Sequence, residues 1–147
     1  MASFMDIAME QARMAQASGE VPVGCAIVRD GIVIAAAGNR TIANRDPTAH
    51  AEILAIRAAA TALDSERLSD CDLYVTLEPC AMCAAAMSFA RVRRLYYGAP
   101  DPKGGAVEHG VGFFQSRTCH HRPEVYSGIG ESAAAALLRG FFRERRG

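Results

Sequence analysis

The sequence lacks the features that mark several broad classes of protein. Its 16 basic and 16 acidic side chains cancel to no net charge at pH 7, so the overall charge gives no argument for a nucleic-acid partner. No apolar run reaches the length that a bilayer span requires. Asp6 and Glu10 interrupt the amino-terminal stretch where a signal peptide would have its apolar core. Repeats, low-complexity tracts and linker-like segments are also missing. We therefore expect one globular domain over residues 1–147, in the cytoplasm and without a membrane partner.

Cysteine is present, but not in a pattern typical of a disulfide framework. There are five cysteines, and an odd number without a secretory leader indicates a reducing compartment. Cys25 and Cys71 are typical of small buried residues. Cys119 adjoins His120 and His121, but three adjacent residues rarely converge on one ion. We therefore interpret this segment as part of a loop and not as a second metal site.

Apolar periodicity and turn residues predict a chain in which strands and helices alternate. Asp30-Gly31 is a strong hairpin signal between the first two strands. Thr48 is the expected N-cap of the second helix, and Pro79 is expected in the first turn of the third. The predicted helices are residues 3–17, 49–63, 79–91, 106–114 and 132–145, and the predicted strands are residues 21–28, 32–37, 73–77, 94–99 and 124–127. This order predicts a three-layer α/β/α fold around a central mixed, mostly parallel five-stranded sheet.

Three side chains have the identity and spacing of metal ligands. Cys80 and Cys83 lie three residues apart, which puts both sulfurs on one face of a helix, and the positive end of that helix favours thiolate. His50 lies in the first turn of another helix. If the strands before the two helices are adjacent and parallel, both helices begin at one edge of the sheet, where open α/β sheets bind ligands. Because tetrahedral zinc accepts thiolate sulfur and imidazole nitrogen, we predict that His50, Cys80 and Cys83 hold one zinc ion.

Glu52 lies two residues after His50 and is available for proton transfer. Three protein ligands leave the fourth position of a tetrahedral zinc ion for water, whose pKa zinc lowers to about 7. A carboxylate beside that water can accept its proton and later deliver a proton to a leaving amine. The pattern therefore predicts a hydrolytic centre in which Glu52 is the proton shuttle.

The pattern His50-Ala51-Glu52, followed by a proline with Cys80 and Cys83, resembles the zinc-dependent cytidine deaminase superfamily. Within it, nearly the whole chain is similar to the bacterial tRNA-specific adenosine deaminases. The segments that carry this likeness are residues 20–24, 38–40, 46–52, 73–80, 97–106 and 141–146. The resemblance implies a cytidine deaminase-like fold and a hydrolase acting on the C–N bond of an amidine, which converts the wobble adenosine of a tRNA anticodon stem-loop to inosine. It also implies one zinc ion per chain, no organic cofactor and a homodimer.

The resemblance further implies a set of substrate contacts. Asn39 matches an asparagine that hydrogen-bonds the target base, and Val23 and the backbone around Ala51 would line the base pocket. Asp101 matches a loop aspartate near the ribose that precedes the target nucleotide. The other implied RNA contacts are Lys103, His121, Arg122, Phe142, Arg145 and Arg146. Ordinary structural interpretations stay open for some of these residues, since asparagine favours turns and terminal arginines complement a helix dipole.

Other functions also stay open at this point. A deaminase of a free base or nucleoside, of the guanine, cytosine or adenine type, would share the zinc pattern, but Asp101, Lys103 and the basic ending favour RNA. A redox-active cysteine pair is disfavoured by the histidine and glutamate that accompany it. A non-enzymatic, zinc-stabilised binding module would need a fourth protein ligand. The candidates for that ligand are Cys71, His109, Cys119, His120 and His121, none of which has motif spacing to the other three.

Overall fold

The computed structural model describes residues 3–146, the last of them without its side chain. The helices in this range are α1 (Phe4–Ala17), α2 (Ala51–Leu63), α3 (Ala81–Ala90) and α4 (Glu131–Arg146). The strands are β1 (Gly24–Arg29), β2 (Ile32–Gly38), β3 (Asp72–Leu77), β4 (Arg94–Ala99) and β5 (Glu124–Tyr126), and a single 3-10 turn spans Phe113–Gln115. Within residues 3–146, none of the helices has the length and apolarity that crossing a bilayer demands.

The five strands form one sheet in the order β2-β1-β3-β4-β5. Strand β1 is antiparallel to both of its neighbours, whereas β3, β4 and β5 are parallel to one another. All strands except β1 therefore point the same way, which confirms the predicted mixed, mostly parallel sheet. The β1–β2 connection is the predicted two-residue hairpin, with φ of 51° at Asp30 and 75° at Gly31. Positive φ at both positions matches the right-handed twist of the paired strands.

Helices cover both faces of the sheet, as predicted. Helices α2 and α3 lie over the larger part of the core, in which Ile27, Leu73 and Leu95 are completely buried. On the other face, α1 and α4 pack over Ala26 and Ala99 respectively. Helix α1 lies so close to β1 that a Cβ atom on Gly24 would stand 1.9 Å from the carbonyl oxygen of Ala8. Only glycine allows this approach. Cys25 and Cys71 are both buried, as expected.

The predicted starts of two helices are wrong. Thr48 is not the N-cap of α2, because its amide and its hydroxyl both donate to Asp46 Oδ1, at 2.9 and 2.7 Å. The N-cap position belongs to His50, and in α3 it belongs to Cys80, so Pro79 precedes that helix and is outside its first turn. Neither of these N-cap side chains makes a capping hydrogen bond.

Two other predicted elements also differ from the structure. The first strand begins at Gly24 and not at residue 21, because Val23 donates its amide locally to the Val21 carbonyl at 2.8 Å and Pro22 has no amide hydrogen. The short helix predicted over residues 106–114 does not form. Gly110 and Gly112 have φ of 55° and 52°, which a right-handed helix does not allow, and the Phe113 amide donates to the Ala106 carbonyl at 2.7 Å and not to the carbonyl four residues before it.

Candidate active site

The three predicted zinc ligands converge at one point. Nδ1 of His50 lies 3.6 Å from Sγ of Cys80 and 3.6 Å from Sγ of Cys83, and the three ligand atoms all lie within 4.8 Å of one another. Zinc–sulfur and zinc–nitrogen bonds of about 2.3 and 2.0 Å at a tetrahedral angle place the two atoms about 3.5 Å apart. The donor set and its spacing therefore fit a zinc ion, with Nδ1 as the nitrogen that faces it.

The sheet brings the ligands together in a way that differs in one detail from the prediction. Strands β2 and β3, which precede α2 and α3, are not adjacent, because β1 lies between them. They nevertheless point in the same direction, since β1 is antiparallel to both. Both helices therefore begin at the same edge of the sheet. His50 and Cys80 occupy the two N-cap positions, where the positive ends of both helices stabilise anionic groups.

Without a metal ion, the side chains of His50, Cys80 and Cys83 form hydrogen bonds with one another, and these bonds shift their pKa values. The pKa of Cys80 is lowered to about 4, chiefly because its sulfur accepts a hydrogen bond from Cys83. The same hydrogen bond is the largest cause of the raised pKa of Cys83. The pKa of His50 is raised, mainly by its hydrogen bond with Cys80. A bound zinc ion would displace these protons, because it binds thiolate and neutral imidazole.

Glu52 is the second residue of α2, and its side chain is turned into the protein. It is only 4% exposed, and this burial raises the pKa of its carboxyl group to about 7, with a further contribution from the negative charge of Cys80. A carboxyl group whose pKa lies near neutrality can both accept and return a proton under physiological conditions. The carboxyl group interacts with the side chains of His50, Cys80 and Cys83, so it adjoins the predicted ligand triad.

Asn39 stands at the end of β2, beside the start of α2. The side-chain Oδ1 of Asn39 accepts a hydrogen bond from the backbone amide of Ala51 at 2.8 Å. The backbone amide of Asn39 donates to the Val23 carbonyl at 3.1 Å. The first bond satisfies an amide at the start of α2 that the N-cap side chain leaves unbonded. It also fixes the orientation of the Asn39 amide group, so that Nδ2 is the atom left to donate elsewhere.

A buried glutamate, which the sequence analysis did not identify, anchors the loop between β2 and α2. Glu20 is 2% exposed. Its carboxylate accepts the backbone amides of Ile42 and Ala43 at 3.1 and 2.8 Å and the hydroxyl of Thr41 at 3.5 Å. The one sequence feature that could have indicated a buried role for Glu20 is its position directly before the apolar run Val21-Pro22-Val23.

A second buried glutamate anchors the loop after β4. Glu78 accepts the amides of Asp101, Val107, Glu108 and His109 at 3.0 to 3.1 Å, and its Oε1 lies 2.7 Å from Nδ1 of His109. Burial raises the pKa of Glu78, but the hydrogen bonds from Asp101 and His109 outweigh it and leave the pKa below its ordinary value. Nothing in the local sequence around Glu78 predicts this role.

Three of the predicted RNA contacts lie around one cavity. Asp101, Lys103 and Phe142 line a cavity of about 640 Å³ between the loop after β4 and helix α4. Oδ1 of Asp101 accepts the amides of Lys103 and Gly104, at 3.2 and 3.0 Å. Oδ2 accepts no hydrogen bond from the described part of the chain, so it is the oxygen that can meet a substrate.

The remaining predicted RNA contacts lie elsewhere. His121 is held at the carboxyl end of α3, where its Nε2 lies 2.7 Å from the Val92 carbonyl, and Arg122 beside it is exposed. At the end of α4, Arg145 donates to the Gly19 carbonyl and stacks over the ring of Phe141, 4.6 Å from its centre. The side chain of Arg146 lies outside the described residues.

The described residues offer no fourth protein ligand to the triad. His50, Cys80 and Cys83 form the one group of three or more suitable side chains found within residues 3–146. Cys119 donates to the carbonyl of His121 at 3.0 Å, which accords with a loop role for that segment. A site with three protein ligands is typical of catalytic zinc, whereas structural zinc sites are closed by four.

Comparison with known proteins identifies relatives along the whole chain. Residues 1–99 match the cytidine and deoxycytidylate deaminase zinc-binding region. A tRNA-specific adenosine deaminase from Agrobacterium fabrum is 64% identical over 143 residues, 97% of this chain and 94% of that protein. A solved structure from studies of A-to-I editing by tRNA:A34 deaminases at the wobble position of transfer RNA has a TM-score of 0.91 at 63% identity, covering 92% of this chain and 98% of that one. A guanine deaminase from Nitrosomonas europaea has a TM-score of 0.82 at 29% identity, covering 96% and 85%.

These relatives divide according to how much sequence they share with the chain. The guanine deaminase shares the fold at 29% identity, whereas the tRNA deaminases named above share about twice as many residues. The matched zinc-binding region contains all three ligands and Glu52. The chain belongs to the zinc-dependent cytidine deaminase superfamily and, within it, to the tRNA-specific adenosine deaminases.

Proposed function

We propose that the protein hydrolytically deaminates the wobble adenosine of a tRNA anticodon loop to inosine, in the cytoplasm. The observation that carries this proposal is the open triad of His50, Cys80 and Cys83 with the buried carboxyl of Glu52 beside it. The identity of 63 to 64% to proteins described as tRNA deaminases supports the choice of substrate.

The residues of the centre divide the chemistry among them. His50, Cys80 and Cys83 would hold one zinc ion per chain, which when bound activates water for attack on an amidine carbon. Glu52 takes a proton from the attacking water and passes protons to the ring nitrogen beside C6 and to the amine. The C6–N bond then breaks, so adenosine and water become inosine and ammonia. The pKa of about 7 suits Glu52 to both directions of transfer.

The target base would be held from the side of the β2–α2 loop. With Oδ1 of Asn39 occupied by the Ala51 amide, Nδ2 is the donor that faces a ring nitrogen of the base. Val23 and Ala51 supply small, buried walls on either side of this asparagine. An anticodon-loop base is already single-stranded, which reduces the unstacking that reaching a closed pocket requires.

The flanking nucleotides would meet the cavity between the loop after β4 and helix α4. Oδ2 of Asp101 can accept a hydrogen bond from a ribose 2′-hydroxyl, the group that distinguishes RNA from DNA. Lys103 is exposed at the rim and can meet a phosphate, while Phe142 presents a half-exposed ring on which a base can stack. Arg145 and Arg146 lie at the end of α4 and would add contacts to the RNA backbone, whereas His121 and Arg122 would meet the RNA further away.

We also propose that two copies of the chain pair through α2 and α3. Phe89 is 75% exposed, and it borders an apolar groove that Ile53, Ile56 and Ala86 also line. A ring so exposed on an apolar surface is typical of an association site. Phe89→Glu should convert a dimer into a monomer in sedimentation experiments. A wild-type monomer at micromolar concentration would contradict this part of the proposal.

The test of the activity is a comparison of substrates, each assayed separately. Purified zinc-loaded protein is incubated with an anticodon stem-loop bearing a wobble adenosine, and separately with free adenosine, guanine and cytidine, and the products are separated by chromatography. We expect inosine from the stem-loop with the highest kcat/KM. Faster deamination of free guanine would favour the function of the Nitrosomonas relative instead.

A further inference from the structure

The carboxylate of Glu78 has an unusual number of donors for a side chain with no exposed surface. Three backbone amides, those of Val107, Glu108 and His109, point at Oε2. Oε1 receives the amide of Asp101 and faces Nδ1 of His109. One buried carboxylate therefore ties both ends of the segment from residue 101 to residue 109, which has no helix or strand of its own.

The backbone of the segment packs closely against Glu78 at Gly105. A Cβ atom on Gly105 would stand 2.5 Å from Cδ of Glu78 and 2.6 Å from the carbonyl oxygen of Asp101. The amide of Gly105 donates to that carbonyl at 2.8 Å. The segment is therefore wrapped closely around the carboxylate, and the backbone of Asp101 is fixed on both sides of its Cα atom, by its amide and by its carbonyl.

The position of the Asp101 side chain follows from this arrangement. Because the backbone of Asp101 is fixed and Oδ1 is occupied by the amides of Lys103 and Gly104, Oδ2 is directed by the same framework. We infer that Glu78 is a positioning residue for RNA recognition, which sets the place of Asp101 and so the discrimination between ribose and deoxyribose. Glu78 is fully buried and touches no substrate itself, so it acts only through the segment that it holds. This inference rests on the proposed activity toward RNA.

Glu78→Gln tests the inference with little change in shape. An amide has one acceptor oxygen, so its NH₂ group must face either the two donors at Oε1 or the three donors at Oε2, and that part of the segment is released. We expect KM for the RNA stem-loop to rise about tenfold or more, since small misplacements of a positioning group have effects of this size. The zinc content should stay equal to that of the wild type, because the hydrogen bonds of the carboxylate involve none of the three ligand side chains. The matched control is Glu124→Gln. It removes an exposed carboxylate on β5 that pairs with Arg94 on β4, and it should change neither KM nor zinc content.

A double-mutant cycle distinguishes positioning through Asp101 from a general loss of structure. If Glu78 acts through Asp101, the variant that combines Glu78→Gln with Asp101→Asn has nearly the kcat/KM of Asp101→Asn alone, and both single variants lower the ratio of activities on RNA and on the matching DNA stem-loop. Fully multiplicative effects, or an RNA-to-DNA ratio that Glu78→Gln leaves unchanged, would overturn the inference. So would loss of zinc in proportion to activity.

Hydrogen exchange supplies a readout that does not depend on activity. Amides in a peptide covering residues 100–110 should exchange slowly in the wild type and faster in Glu78→Gln, while peptides of the sheet stay unchanged. His109→Leu removes only one donor of the cluster and keeps the question answerable if Glu78→Gln does not fold, with smaller effects of the same kind. A wild-type protein that makes no inosine would refute the proposed function. If the wild type is active but residues 100–110 exchange at the wild-type rate in both Glu78→Gln and His109→Leu, only the role of Glu78 is refuted.

Discussion

The centre that would carry the chemistry and the surface that would meet the RNA differ in how their side chains are held. His50, Glu52 and Cys80 lie at the starts of two helices, so the sheet and the helix backbones determine where they stand. Asp101 and Lys103 lie in a segment without regular structure. This segment is held in place by hydrogen bonds to Glu78, which is more than twenty residues away along the chain. The first region is specified locally, and the second is specified through a long-range contact.

The two regions also differ in their electrostatic setting. In the centre, burial is the largest cause of the rise in the pKa of Glu52 to about 7, with a further contribution from the negative charge of Cys80. On the outer surface Lys103 is exposed and Arg145 is largely so, and interactions of exposed charges fall off over about 10 Å at an ionic strength of 0.1 M. Changes in the centre should therefore act on turnover at any salt concentration, whereas changes at the surface should act on RNA binding and depend on salt.

The largest effect should come from Glu52→Gln, which removes the proton-transferring group and keeps its shape. We expect kcat to fall by at least about a hundredfold, within the range that general acid–base groups contribute, with zinc content unchanged. Single-turnover formation of inosine and metal analysis would measure the two quantities. Glu10→Gln, on the exposed side of α1, is the control. Substantial turnover by Glu52→Gln would remove this residue from the mechanism.

Substitution of Asn39 should have the next largest effect, because this side chain both accepts the Ala51 amide at the start of α2 and would donate a hydrogen bond to the target base. Asn39→Asp keeps the acceptor for the Ala51 amide and loses the Nδ2 donor, whereas Asn39→Ala loses both. We expect kcat/KM to fall about tenfold or more in each variant, since an unmade buried hydrogen bond costs roughly 1–3 kcal/mol. Only Asn39→Ala should also lose about 1 kcal/mol of unfolding free energy, as capping groups do. Equal activity of Asn39→Asp and wild type would contradict the donor role.

A smaller effect is expected from Asp101→Asn, at the surface. The Asn side chain can still accept the amides of Lys103 and Gly104, but its NH₂ group replaces Oδ2 and cannot accept from a 2′-hydroxyl. The ratio of kcat/KM for RNA to that for the matching DNA stem-loop should therefore fall about tenfold, the value of one hydrogen bond of roughly 1.4 kcal/mol. An unchanged ratio would show that Asp101 does not read the sugar.

The smallest effect should come from Arg145, which has a structural contact of its own. Arg145→Ala should reduce the slope of log K against log salt for stem-loop binding by about one phosphate contact. Arg145→Lys keeps the charge and should keep the slope, but it loses the stacking over Phe141, worth about 0.5–1 kcal/mol at an exposed site. Filter binding at several salt concentrations and thermal unfolding would separate the two roles. A slope that does not change in Arg145→Ala would place the residue outside the RNA interface.

The sequence was informative wherever a signal was local. Asp30-Gly31 predicted its hairpin because the turn type depends on those two residues alone, and the ligand triad was identifiable because its residue types and spacings are unusual together. The roles of Glu20 and Glu78 were not predicted, since their partners lie more than twenty residues away along the chain. The helix predicted over residues 106–114 does not form, because the backbone turns to positive φ at Gly110 and Gly112, a conformation that glycine adopts readily and that ends a right-handed helix.

The starts of α2 and α3 were misplaced because the rule for locating them does not hold there. Helix starts are recognised by serine, threonine, aspartate or asparagine at the N-cap, and the structure has His50 and Cys80 in those positions without a capping bond. For α2 the missing bond is supplied from outside the helix, by Asn39.

The occupation of two N-cap positions by the proposed metal ligands His50 and Cys80 has an evolutionary consequence. Each of these side chains forgoes a capping interaction worth about 1 kcal/mol, so a chain with Asp at position 50 and Ser at position 80 would gain intrinsic stability and lose its metal centre. Mutational drift toward a more stable fold therefore runs directly against the activity at these two sites. If the two side chains bind the metal as proposed, a descendant of this chain that had lost the reaction would be expected to change at these positions early.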